Sequence, residues 1–319
     1  MWRWFRRIVI GLVGLVIAAL LAGATYDWLA ARWDVAATPP PGRLVDVGGH
    51  RLHIWCTGEG SPAVILESGL AGWSVDWGFV QPEVARFTRV CSYDRAGMGY
   101  SDAGPSPRTA RRIAHELAEL VDRAGLAGPL VLVGASSGGL SVRMFASERE
   151  ARVAGLVLVD ASHEDQSHEV PSIAPIVPIV SSVGLLRLLG VSFSLNPESL
   201  APAVQGYARA MRFRGSGYRA AANEIVHFPE SATEVRTSRR PLATPVVVVT
   251  GGRHTEETWQ RLQRDQVGLS PRGCQIIAER SGHLVMVQQP QAVVDAVRAV
   301  VDTARGKDVA LCGAAAAAR

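Results

Sequence analysis

Lysine is nearly missing from the 319-residue chain: Lys307 is the only one among 33 basic residues. The formal charge is +4, and Arg3, Arg6, Arg7 and Arg32 against Asp27 and Asp34 put half of it in the first 34 residues. No dense basic stripe follows, which removes the case for a nucleic-acid face and leaves the arginines as solvated surface. There is no H-E-x-x-H, no paired C-x-x-C and no G-x-x-x-x-G-K, so metal and nucleotide sites have no motif to stand on. The one dense ligand-type group, His163-Glu164-Asp165 with His168, reads as a solvated segment, and no cofactor or metal is expected. Cysteine is scarce. Cys56, Cys91, Cys274 and Cys312 are compatible with an oxidising compartment but too few for a framework. Cys56 and Cys91 each fall in an apparent strand, and a disulfide between neighbouring strands or two buried free thiols both fit. No internal repeat precedes the alanine-rich end, Ala314–Ala318.

Hydrophobic residues are abundant at 48%, enough for the core of one large domain or two small ones. The longest apolar run is at the start. Met1-Trp-Arg-Trp-Phe-Arg-Arg7 precedes Ile8–Ala24, 17 residues without a charge, followed by Tyr26 and Trp28. That is near the short end for a membrane span with interfacial aromatics on both flanks. Three arginines before the run and none just after it put the N-terminus inside and the remainder on the exported side. Ala22-Gly23-Ala24 also fits a signal-peptide cleavage site, so secretion after cleavage competes with a retained anchor. The length of the run and its aromatic flanks favour the anchor.

Residues 35–43, with Pro39-Pro40-Pro41, read as a stiff linker. Leu44–Val47 and Arg51–Cys56 form a hairpin pattern around Gly48-Gly49. Short apolar strands follow at Ala63–Glu67, Thr88–Asp94, Leu130–Val133, Val153–Val159, Val246–Thr250 and Gln275–Ala278. Helical patterns lie between them. Trp77–Phe87 is one, and Thr109–Gly125 shows an apolar stripe with a threonine cap and a glycine stop. The helix after Gly138 is a third, and Val293, Val294, Val297, Val300 and Val301 give a closing helix its face. Strands alternating with helices mean a parallel sheet covered on both sides. Residues 163–242 break the alternation. They carry no strand signal and read as a mostly helical lid inserted in a core of 44–162 and 243–306, with 1–34 the anchor and 307–319 a disordered tail.

Leu130–Ser141 reads L-V-L-V-G-A-S-S-G-G-L-S, a strand running into G-x-S-x-G. The pattern turns a buried strand sharply into a helix with Ser136 at the apex. Gly134 and Gly138 leave out side chains where strand and helix nearly touch. The N–H of Ser137 lies at a helix N-terminus, where developing negative charge is stabilised.

Four blocks now stand in one order: Glu67-Ser68-Gly69-Leu70, Tyr93-Asp94-Arg95-Ala96-Gly97-Met98-Gly99, the serine turn, and Ser281-Gly282-His283. With them the chain resembles the α/β-hydrolase-fold serine hydrolases from about Leu44 to Gly306. The resemblance implies an eight-stranded, mostly parallel sheet with a helical cap between strands six and seven. It also implies His283 as the base for Ser136, and an oxyanion hole from the N–H groups of Leu70 and Ser137.

The sequence departs from the pattern at the acid. The family usually places an aspartate just after strand seven, but Gly251-Gly252-Arg253-His254 stands there. Asp160, ending strand six, preserves the order serine, aspartate, histidine and is the preferred acid. Glu256 or Glu257 from the strand-seven loop is the alternative, with Glu164 or Asp165 behind them. Ser68 and Ala135 replace histidines common in the family without removing a reacting group. A serine nucleophile argues against the dehalogenase and epoxide-hydrolase branches. The expected activity is hydrolysis of an ester or related acyl bond in a small-molecule or lipid-like, apolar substrate. A membrane-tethered binding protein that has lost turnover is the competing class, and the missing acid after strand seven is its support.

Overall fold

Runs of β-branched and leucine residues too short for helices form the strands. They are β1 (Arg43–Asp46), β2 (Arg51–Thr57), β3 (Ala63–Glu67), β4 (Val90–Tyr93), β5 (Leu130–Ala135), β6 (Val153–Val159), β7 (Val246–Gly251) and β8 (Gly273–Ala278) in a computed structural model that describes residues 1–313 apart from Glu169. They make one eight-stranded sheet in the order β1-β2-β4-β3-β5-β6-β7-β8. β2 pairs antiparallel with β1 and β4, and every other pairing is parallel. This is the α/β-hydrolase fold.

The helices are α1 (Trp2–Ala37), α2 (Gln81–Val84), α3 (Ala110–Arg123), α4 (Gly138–Glu148), α5 (Val177–Ser182) and α6 (Leu185–Leu189). They continue with α7 (Gln205–Met211), α8 (Gly215–Val226), α9 (Phe228–Ser238), α10 (Glu257–Val267), α11 (Val285–Gln288) and α12 (Pro290–Ala304). Successive side chains of a strand face opposite ways, so each strand feeds two layers. Ile65, Leu132, Leu158 and Val248 pack against α3, α4 and α9, and Val64, Val131, Val157 and Val247 against the valines of α12. Thr109 caps α3, its hydroxyl accepting from the Arg112 N–H, and Gly125 just beyond the end takes φ +76°.

Three expectations need correction, and one left open is decided. Trp77–Phe87 is not one helix but a 3₁₀ turn, Ser74–Trp77, and the single turn α2. Pro82 cannot donate to the preceding turn, so no continuous helix runs through it. The helix α1 continues through residues 35–37 and takes the start of the expected linker. It stops at Thr38, whose extended backbone (φ −133°) is what a following proline favours. Of the two readings open for Cys56 and Cys91, register partners on β2 and β4, the disulfide is the one formed. Cys274 and Cys312 form a second, unanticipated disulfide that ties residues 307–313 to β8, where a loose tail was expected. Ala314–Ala318 lie outside the described residues. Between β6 and β7 the described residues hold five helices, α5–α9, and no strand.

Candidate active site

The serine turn is built by close approach. A Cβ on Gly134 would stand 2.6 Å from Val142 Cγ2, and one on Gly138 would stand 2.5 Å from Ser68 O. Only glycine lets β5, α4 and the end of β3 meet there. Ser136 takes φ +48°, a left-handed value that costs a non-glycine residue on the order of 1–3 kcal/mol. Neighbouring strands hold it: its N–H donates to Val159 O at 3.1 Å, and Ser162 N–H donates to its carbonyl at 2.8 Å. Among the described non-glycine residues only Ala71, Ser136 and Asp160 have positive φ. All three border the same site.

Asp160 follows β6 and is fully buried. Its Oδ1 accepts from Gly251 N–H and from Trp259 Nε1–H, both at 3.0 Å. Its Oδ2 lies 2.7 Å from His283 Nδ1 and 3.2 Å from His254 Nδ1. Burial pushes this carboxyl up, but the bonds from His283, Trp259 and Gly251 outweigh it and hold the group below its usual range. It is a carboxylate at neutral pH. His283 then turns its Nε2 to Ser136 Oγ at 2.9 Å. Ser136, His283 and Asp160 therefore form one continuous hydrogen-bonded line.

The other acids are occupied elsewhere. Glu256 and Glu257 are exposed at the start of α10 and bond to neither histidine. Glu164 is buried between Arg143, at 2.6 and 2.8 Å, and Arg239, at 3.0 Å. Burial opposes its ionisation, yet Arg143 wins and carries its pKa down to about 2. Asp165 pairs with Arg236, and His163 with Asp265. The His163-Glu164-Asp165 group is thus a knot of ion pairs rather than a solvated segment, and His168 stacks on Phe228. Among the described residues one His/Asp group has ligand-type atoms mutually within 4.8 Å: Asp160, His254 and His283. Both imidazoles aim Nδ1 at the same carboxylate oxygen, an arrangement of hydrogen-bond donors around an acceptor.

Gly69 crosses the serine closely enough that a Cβ on it would lie 3.0 Å from Ser136 Cβ. This places the segment 68–70 over Ser136. The N–H groups of Leu70 and Ser137 donate to no backbone carbonyl among the described residues. A buried arginine fixes the segment from behind. Arg95 donates to Ser68 O at 2.6 Å and Gly69 O at 2.7 Å, and pairs with Glu67 at 2.5 Å and with Glu224 of α8 at 2.9 Å. A cavity of about 270 Å³ opens from Leu70 and Ala71, between Trp73 and Met98 on one side and Ile173, Val177 and Phe193 on the other. Its walls are mostly apolar, which suits an acyl chain.

Trp259, the second donor to Asp160 Oδ1, escaped the sequence reading; its signal is only an indole in the first turn after the β7 loop. The Arg95–Glu224 pair escaped it too, because the partners stand 129 residues apart.

Comparison with known proteins agrees with this architecture. Residues 62–296 match the model of the "Alpha/beta hydrolase family". An AB hydrolase superfamily protein of Gibberella zeae is 25% identical over 281 residues, covering 76% of this chain and 87% of that protein. A thermophilic esterase of Thermogutta terrifontis, solved with malate bound, is 24% identical, with a TM-score of 0.64 over 83% of this chain and 99% of that one. A probable transporter of Hormonema carpetanum is 34% identical over 129 residues, 38% of this chain, which spans only 18% of that relative's length. The match covers well over half of the sequence, and the chain belongs to the alpha/beta hydrolase family.

Proposed function

We propose that this chain is a serine hydrolase that cleaves an ester or similar acyl bond of an apolar substrate. The observation that carries the reading is His283, bonded on one side to Ser136 Oγ and on the other to a buried carboxylate. Serine is a weak nucleophile until a positioned base takes its proton, and the base needs an acid to hold its tautomer. Ser136 Oγ attacks the acyl carbon while its proton passes to His283 Nε2. The oxyanion meets the N–H groups of Leu70 and Ser137. Collapse expels the alcohol, which leaves with the proton from His283, and an acyl-Ser136 ester remains. Water, deprotonated by His283, reverses these steps, releases the acid and returns the proton to Ser136. Asp160 stays ionised and stabilises the transient imidazolium. No step calls for a metal or cofactor.

Residues 163–242 serve as the lid and 1–34 as a membrane anchor, with the catalytic domain on the exported side. Two disulfides fit that oxidising side. The helix α1 runs unbroken through Ala22-Gly23-Ala24, and the length of its apolar run with aromatics on both flanks supports a retained anchor. The competing binding-protein reading leans on the missing acid after β7, whereas Asp160 on His283 supports the hydrolase reading.

The test uses the full chain in detergent, a fluorophosphonate probe and p-nitrophenyl esters of rising acyl length. Wild type is expected to label and to hydrolyse, Ser136→Ala to do neither. A folded wild type inert to both would sink the proposal.

A further inference from the structure

The lid carries an apolar outer face that no described residue covers. Leu188 is 75% exposed, Ile179 64% and Leu189 63%, and Ile176, Leu185 and Val191 join them. Six large aliphatic side chains left exposed within sixteen residues mark a contact surface rather than ordinary solvent-facing surface. What lies beside it identifies the partner. The helix α1 is about 54 Å long at 1.5 Å per residue, and its most apolar window is entirely unburied. Counted from Ile8, the roughly 20 residues that cross a hydrocarbon layer end near Asp27, the first charge after Arg7.

At that level the lid touches the helix. A Cβ on Gly184, in the turn between α5 and α6, would stand 2.7 Å from Gly23 O, so the two backbones meet there. Arg187 of α6 then bridges Asp27 at 3.0 Å and Asp34 at 2.7 Å, two turns apart on one face of α1. Gly23 precedes Asp27 by one helical turn. The α5–α6 corner therefore meets α1 where hydrocarbon gives way to headgroups. Val177 of α5 walls the cavity while Ile176 and Ile179 face outward, so the same short helix borders both the substrate space and the patch.

We propose that the α5–α6 corner is seated in the exported-side leaflet of the bilayer crossed by α1, so that a lipid-like ester enters the cavity from the acyl-chain region. This rests on the readings of α1 as an anchor and of the chain as an acyl hydrolase, and the test separates all three.

The full chain is reconstituted in phosphatidylcholine vesicles with an environment-sensitive dye on Val16→Cys, Leu188→Cys or Glu119→Cys. Quenching is read with lipids spin-labelled on the acyl chain. Position 188 is expected to be quenched about threefold more than 119 and to resemble 16. Quenching at 16 but not at 188 overturns the seat and leaves the anchor; quenching at neither overturns both. An unquenched 188 that crosslinks to 188 of another chain gives the patch to a second copy and also overturns the seat. In a second arm, Leu188→Asp with Leu189→Asp is expected to lower kcat/KM for a vesicle-borne ester about tenfold while leaving a soluble short-chain ester within about twofold. Equal loss on both esters, or on neither, contradicts the proposal. A wild type that hydrolyses neither ester contradicts the hydrolase reading, while the dye result still decides the seat.

Discussion

The ends of β6 and β7 lie side by side in the sheet and are built for different tasks. Behind β6 stands Asp160, in a left-handed backbone, buried and accepting four hydrogen bonds. Behind β7 the family pattern anticipates an acid, and the chain supplies instead a Gly251 N–H, the His254 imidazole and, one turn into α10, the Trp259 indole. All three of these groups point back at Asp160. The carboxylate has one strand as its origin and the neighbouring strand as its holder. What the histidine needs is an oxygen at one place in space, and either strand end can deliver it when the other supplies donors in place of a second charge.

The largest effect that can break this contrast is loss of the β6 carboxylate. Asp160→Asn is expected to lower kcat about 10³- to 10⁴-fold with the fold intact, because the amide can present its NH₂ to His283 and favour the wrong tautomer. Steady-state kinetics beside circular dichroism measure it, and substantial residual turnover would move the acid to the β7 side.

The next test compares two carboxyl groups of opposite sign. Asp160 has a lowered pKa, so its contribution to stability is present above its ordinary 3.8 and lost as pH falls through the folded value. Asp76, under the segment 68–73, is pushed by burial to about 7. Its favourable state is the neutral one, present in full below 3.8 and lost as pH rises through about 7. Asp76→Asn is therefore expected to stabilise the fold at pH 8 by on the order of a few kcal/mol, read as a higher Tm than wild type, and to change little at pH 4. Thermal unfolding at the two pH values decides it, and an equal shift at both would contradict the assignment.

Smaller effects sharpen the β7 side. Trp259→Phe and His254→Ala each remove one donor from Asp160 and are expected to reduce kcat about three- to tenfold with KM little changed. An unchanged kcat in both would make the β7 loop a bystander. Smallest of all, Glu256→Gln and Glu257→Gln are expected to stay within about twofold of wild type, since neither side chain meets His283.

Much of this was legible in the residues. The strands are short β-branched runs bounded by glycine, and the serine turn, His283 and the order of the four blocks lie in local sequence. Asp160 was readable because it ends a strand next to the serine's own. The parts that were not legible depend on distant chain segments folding together. Pro82 breaks a pattern whose hydrophobic spacing looks helical. The Cys274–Cys312 bond joins the last strand to the tail. Glu224 reaches Arg95 only once α8 is placed, and Trp259 reaches Asp160 only once α10 docks beside β7. Local propensity carries no information about such pairings.

Covalent catalysis by Ser136 is tested by the rapid-mixing time course of p-nitrophenol release, with intact-mass and peptide analysis of the quenched protein. Acylation of Ser136 predicts a burst close to one equivalent per chain and an acyl adduct on Ser136, absent from Ser136→Ala. Turnover retained by Ser136→Ala, or an adduct on another residue, would contradict it.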